Sequence, residues 1–93
     1  MIKSFRSKKT QELFERKFSR RFPPEIHQRA WIKLAILHAA EALNDLTVFP
    51  GNRLEKLSGD RKGQHSIRIN DQWRICFVWR GGHAYDVEIT DYH

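Results

Sequence analysis

Residues 65–80 read "HSIRINDQWRICFVWR", and the alternation in this stretch decides the fold. Ile67 and Ile69 alternate with Ser66 and Arg68, while Trp73, Ile75, Phe77 and Trp79 alternate with Arg74, Cys76, Val78 and Arg80. A period of two marks strands with one apolar face, because successive side chains point to opposite sides of a sheet. Asn70, Asp71 and Gln72 interrupt the pattern with turn-forming polar residues. For the apolar residues of both runs to share one face, paired positions must sum to an even number, which requires an odd-length loop. That parity sets Arg68 opposite Arg74. Two arginines paired on the second face repel unless an anion lies between them or acidic neighbours such as Asp86 or Glu88 compensate.

The segments on either side extend the sheet. After the Gly81-Gly82 turn, "AYDVEITDYH" predicts a last strand with Tyr85, Val87 and Ile89 inward and Asp86, Glu88, Thr90 and Tyr92 outward. Upstream, "LEKLSGDRKG" predicts a short strand leading into a glycine-flanked basic loop, and "IKSF" a short first strand. Cys76, flanked by Ile75 and Phe77, is expected to be buried; as the single cysteine it can form neither an internal disulfide nor a thiolate metal cluster.

Two helices precede the sheet. From Ser7, a natural N-cap, "KKTQELFERKF" carries Leu13, Phe14 and Phe18 at helical spacing. Pro23 and Pro24 open a second helix, expected to run through "EIHQRAWIKLAILHAAEALNDL". Ile32, Ala35, Ile36, Ala39, Leu43 and Leu46 form one apolar stripe, assigned to the core, and Ile26, Ala30, Leu34 and Leu37 form a second stripe, left for a partner or the first helix.

The 93 residues make one domain around one core, and 40% hydrophobic with 30% charged residues fits a soluble globular chain. No run approaches the length of a membrane span, and "MIKSFRSKK" lacks the apolar core of a secretory signal, so a cytoplasmic location without membrane association is expected. The formal charge of +6 is unevenly placed, with clusters at Lys8 and Lys9, at Arg16 and Lys17, and along the strands, which points to a polyanionic partner. Histidines 27, 38, 65, 83 and 93 show no metal-ligand spacing, and neither a phosphate loop nor a nucleophile elbow is present. Asp91, Tyr92 and His93 place a carboxylate, a phenol and an imidazole beside the arginine face, a set suited to acid–base work on a phosphodiester. His65, next to the basic loop, is a further candidate for the same site.

"GNRLEKLSGDRKGQHSIRINDQWRICFVW" followed by "VEITDYH", with "MIKSF" and "KLAILHAAEALNDL" upstream, closely resembles the HigB-type toxins of bacterial type II toxin–antitoxin systems, in the RelE/ParE superfamily. The resemblance implies an α+β fold, two helices on a curved, mainly antiparallel sheet, and a metal-independent endoribonuclease that cuts mRNA in the ribosomal A site. It implies a HigA-type helix-turn-helix antitoxin as partner, contact with operator DNA only through the toxin–antitoxin complex, and no cofactor. Carried across by position, the catalytic set is Arg74, Asp91, Tyr92 and His93. Lys8, Lys9, Arg16, Lys17, Arg61 and Arg68 are the candidates for RNA and ribosome contact, and Ile26, Ala30, Leu34 and Leu37 for antitoxin contact. Some family members carry a histidine and a lysine before the GDR-like loop; here Glu55 and Ser58 stand in that segment, which leaves transition-state help to the arginines and the ribosome. A gyrase-directed toxin of the ParE kind and a non-catalytic basic RNA- or DNA-binding module are the competing readings, since a shared fold does not choose among them.

Overall fold

In the computed structural model, which describes residues 1–17 and 21–91, two helices lie against a four-stranded antiparallel sheet. Helix α1 spans Lys8–Phe14 and α2 spans Pro24–Ala39. Strands β1 (Glu55–Lys56), β2 (His65–Arg68), β3 (Trp73–Arg80) and β4 (His83–Asp91) follow in sheet order β1-β2-β3-β4. The expected hairpin register is observed: Ile67 faces Ile75 and Arg68 faces Arg74. Asn70 builds the odd loop by accepting backbone N–H bonds from Gln72 (2.9 Å) and Trp73 (2.8 Å) on its Oδ1.

The assignment of the faces of α2 is reversed for most of its residues, although Leu46 is fully buried in the core and Ile36 and Leu43 pack against it. Ile26, Ala30, Leu34 and Leu37 are buried in the core, whereas Ile32 is 44% exposed. At about 100° per residue the buried four fall within roughly 80° of arc. The competing stripe outnumbered them only by including Leu43 and Leu46, and the helix ends before either. Ala40 turns to an extended backbone at ψ 134°, and the Asp45 carboxylate accepts the N–H groups of Glu41 (2.9 Å) and Ala42 (3.0 Å), starting a separate 3₁₀ turn at Leu43–Thr47. Those hydrogen bonds hold the Asp45 carboxyl below the usual carboxylate range. The set Ile26, Ala30, Leu34 and Leu37 therefore cannot serve as an antitoxin-docking surface in the folded chain.

Helix α1 is shorter than expected. Ser7 Oγ caps it through the Thr10 N–H (3.3 Å), but the helix ends at Phe14 and Arg16 takes a left-handed φ of 63°. Phe18 lies outside the described residues. The "IKSF" segment runs parallel to β4 as two isolated bridges, Ile2 to Ala84 and Phe5 to Val87, instead of as a continuous strand. A bulge interrupts it: Asp86 sits at φ 53° and donates its N–H to Ser4 Oγ (2.9 Å). The same bulge corrects the parity of β4. Tyr85 pairs with Val78 and Ala84 with Trp79 before it, so Ala84 points inward and Tyr85 does not, while Val87 and Ile89 after it are buried as expected. Among the described residues no helix is long and apolar enough to cross a membrane.

Candidate active site

The second face of the sheet is not open. Ser66 and Cys76 are fully buried there, and Arg74 is only 8% exposed. Charged side chains laid along the strands cover it. Arg61 reaches Gln64 Oε1 (3.1 Å) and Glu88 Oε1 (3.2 Å), bridging the Gly59–Arg61 turn to β4. Arg74 runs the other way, across β2. Its Nε donates to Ser66 Oγ (2.7 Å), its Nη2 donates to the carbonyls of Arg53 (2.6 Å) and Ser66 (3.3 Å), and Nη2 lies 3.9 Å from Glu55 Oε2. Arg68 instead turns outward to pair with Asp71 at the hairpin loop. The two cross-strand arginines thus escape mutual repulsion by diverging to separate acidic partners, neither of which is Asp86 or Glu88.

Between them lies a cavity of about 260 Å³ lined by Arg53, Glu55, Arg68, Asn70, Asp71 and Arg74. Its floor is set by a short lock. Asn52 is fully buried, donates from Nδ2 to the Leu46 carbonyl (2.9 Å) and accepts from the Lys33 ammonium on Oδ1. Arg53, the next residue, has a left-handed φ of 43°, and this turns its carbonyl onto the Arg74 guanidinium. Partial burial, with Arg29 and Arg68 nearby, lowers the pKa of Lys33 below the ordinary lysine value. The positive field therefore continues from the cavity onto α2. Such a cavity presents a largely dehydrated, multiply hydrogen-bonded guanidinium at its base and a more exposed one at its rim, an arrangement suited to a phosphodiester.

Of the other expected site residues, Asp91 is exposed and pairs with Trp73, so it belongs to the opposite parity from Arg74 and accepts a hydrogen bond from Gln72 Nε2 (3.0 Å). Thr90 is the β4 residue opposite Arg74, and its buried Oγ1 has no hydrogen-bond partner among the described residues. Tyr92 and His93 lie outside the described residues. His65 does not line the cavity: it stacks on Phe77 (6.2 Å between ring centroids), and burial together with Lys56 lowers its pKa below the ordinary imidazole value. Among the described residues no group of His, Cys, Asp or Glu side chains is placed to hold a metal ion.

The basic residues divide into two sets. Arg61 and Arg68 belong to the arginine face of the sheet. Lys8, Lys9, Arg16 and Lys17 lie on or just after α1, with Lys9 Nζ 5.3 Å from the Phe22 ring centroid, Arg16 Cζ 4.0 Å from that of Trp31, and Lys17 paired with Glu15 (3.1 Å). Arg53, Lys33 and Asn52 were not among the expected site residues. Arg53 acts on Arg74 through its backbone carbonyl, for which a side-chain pattern carries no signal; Lys33 was legible only as one more helix lysine.

Residues 3–93 match the model of the HigB-like toxin family, described as the RelE-like toxin of the type II toxin–antitoxin system HigB. The chain is 42% identical over 85 residues to Toxin HigB-1 of Vibrio cholerae, covering 90% of each chain. It is 34% identical over 95 residues to Endoribonuclease HigB of Proteus vulgaris, covering all of both. The fold matches a chain in the YoeB-YefM complex of Staphylococcus aureus with a TM-score of 0.61 at 17% identity, over 100% of this chain and 98% of that one.

Proposed function

This chain belongs to the HigB-like family of RelE-like toxins of type II toxin–antitoxin systems, and from that premise we propose that it is a metal-independent endoribonuclease that cuts translated mRNA in the ribosomal A site. The observation that carries the reading is the arginine-lined cavity, with Arg74 held rigidly at its base by Ser66 and the Arg53 carbonyl. The kinship to a protein named an endoribonuclease supports the same chemistry. RNA brings its own nucleophile in the 2′-OH, so the reaction needs a proton acceptor, charge stabilisation at phosphorus and a proton donor to the departing 5′-oxygen.

Arg74 supplies preorganised positive charge to the phosphorane, and Arg68 at the rim is the more adaptable phosphate contact. His93 protonates the leaving group and Tyr92 stacks on or positions the splayed base. Asp91, which accepts a hydrogen bond from Gln72 at the end of β4, takes a positioning role and makes no phosphate contact. Lys8, Lys9, Arg16, Lys17 and Arg61 contact ribosomal RNA, which the charge of +6 and its spread over two sides of the molecule support. The toxin works in the cytoplasm, is neutralised by a HigA-type helix-turn-helix antitoxin, and meets operator DNA only within that complex.

Induction in a bacterial host followed by primer extension tests the reading. New 5′ ends inside open reading frames are expected within minutes. Intact messages accompanied by trapped DNA-gyrase cleavage complexes would replace it with the gyrase-directed reading.

A further inference from the structure

The end of α1 adopts a backbone conformation that its sequence resists, and the side chain at that point makes a stack that the cleavage mechanism does not use. The Arg16 N–H donates to the Leu13 carbonyl (3.1 Å) and the Lys17 N–H to the Glu12 carbonyl (2.8 Å). This is the hydrogen-bond pattern of a Schellman cap, with Arg16 at its left-handed position, φ 63°. Glycine is the usual residue there, because a Cβ is strained at positive φ. An arginine held in such a place points to a use for its side chain.

That side chain folds back over α2, where its Cζ lies 4.0 Å from the centre of the Trp31 ring. The indole beneath it is fixed. Its Nε1–H donates to the Phe14 carbonyl (3.1 Å), one of those that the end of α1 leaves without an intrahelical partner. Arg16 is exposed, so the guanidinium face turned away from the indole is open to solvent. Beside the stack is a cavity of about 260 Å³ lined by Leu13, Arg16, Lys17, His27, Gln28 and Trp31. His27 Nε2 donates to the Phe22 carbonyl (2.9 Å), and in that neutral tautomer Nδ1 is left as an acceptor.

We propose that this cavity receives an unpaired base of ribosomal RNA, which stacks on the outer face of Arg16 and completes a column of indole, guanidinium and base; the proposal rests on the ribosome-directed reading. Each part of the lining suits a nucleotide. A planar guanidinium already seated on an aromatic ring is a ready platform for a base. Lys17 meets the phosphate: its side chain is 65% exposed, and its pair with Glu15 is a surface contact that a phosphate displaces at little cost. The Gln28 amide and His27 Nδ1 offer hydrogen bonds to a base edge or a 2′-OH, and no carboxylate lines the cavity. The site belongs to the helical layer, whereas the message is engaged by Arg68 and Arg74 on the other face of the sheet, so the base comes from the ribosome and not from the cleaved strand.

An NMR titration of the isotope-labelled chain with a short oligoadenylate reads this site by itself, because the indole N–H signal of Trp31 reports on it while Trp73 and Trp79 lie on β3. The Trp31 signal should move as the oligonucleotide binds. Arg16→Lys keeps the charge and removes the planar stack, so affinity should fall by about 5- to 150-fold, the loss of one base stack, with the salt slope unchanged. The variant should bind vacant ribosomes correspondingly less tightly, and inorganic polyphosphate, which carries charge without bases, as tightly as the wild type. Urea midpoints on the same samples establish that it is folded. If Arg16→Lys matches the wild type on oligoadenylate or on vacant ribosomes, or lowers the urea midpoint alone, the stack serves the fold and the proposal is overturned. An equal loss on polyphosphate, or a loss seen only on ribosomes carrying message, overturns it as well, and the ribosome-directed reading stands in each of these cases. If the wild-type chain does not bind ribosomes, that reading falls and the proposal with it.

Discussion

Replacing Arg74 by alanine should damage the fold as severely as the chemistry, and the size of the damage can be worked from its contacts. The guanidinium makes three hydrogen bonds, to Ser66 Oγ (2.7 Å), the Arg53 carbonyl (2.6 Å) and the Ser66 carbonyl (3.3 Å). Hydrogen bonds to a charged group contribute about 1.5–3 kcal/mol each, though not additively. Because Ser66 is fully buried, its hydroxyl loses an ionic partner without gaining water. Removing one member of such a buried charged network costs about 3–5 kcal/mol, against a total stability of about 5–15 kcal/mol for a domain of this class. Tm should therefore fall by at least about 12 °C. A urea titration followed by fluorescence of Trp31, Trp73 and Trp79 measures it, with an unchanged m-value as the two-state check. Arg68→Ala is the internal comparison: its partner Asp71 is almost fully exposed, so the cost should stay below about 1 kcal/mol. Equal, small losses for both arginines would refute the account of Arg74 as a buried, preorganised charge.

Leu34→Ala should cost about 2–5 kcal/mol while Ile32→Ser stays within about 0.5 kcal/mol, since Leu34 is fully buried and Ile32 is not; comparable urea midpoints would contradict the observed face of α2. Asp86→Gly should preserve or raise stability and Asp86→Val should cost about 1–3 kcal/mol, because φ is 53° at the bulge; indistinguishable thermal melts would mean the bulge is not fixed. The pKa of His65 is lowered in the folded chain by burial and Lys56, so the unfolded chain binds the extra proton first. Its contribution to stability is then complete above the ordinary value of 6.5 and is lost as pH falls below that value through the folded pKa. His65→Phe, which can keep the stack on Phe77, should flatten this acid-side slope in pH-dependent urea titrations, and an unaltered slope would assign it elsewhere.

The parts of the fold that were legible in the sequence are those governed by a short, rigid period. Strand alternation has a period of two, so three polar residues at Asn70, Asp71 and Gln72 leave one parity and set Arg68 against Arg74. The face of α2 was misread because its two apolar stripes are similar in size. The choice turned on where the helix stops, which Asp45 decides by capping a new turn. The bulge at Asp86 carried no glycine to announce a left-handed backbone, and it alone displaced Tyr85 from the inward set. At the site, the arginines were visible as a charged row. The fate of each was not, because Arg74 is held partly by a backbone carbonyl and Glu55 is brought beside it only through the pairing of β1 with β2.

The most direct test of the central claim is end-group analysis of a defined message incubated with the purified chain, with and without translating ribosomes. The account predicts cuts inside the open reading frame that require ribosomes and leave 5′-hydroxyl and 2′,3′-cyclic phosphate ends. An intact message on translating ribosomes, or fragments bearing 5′-phosphates, would contradict it.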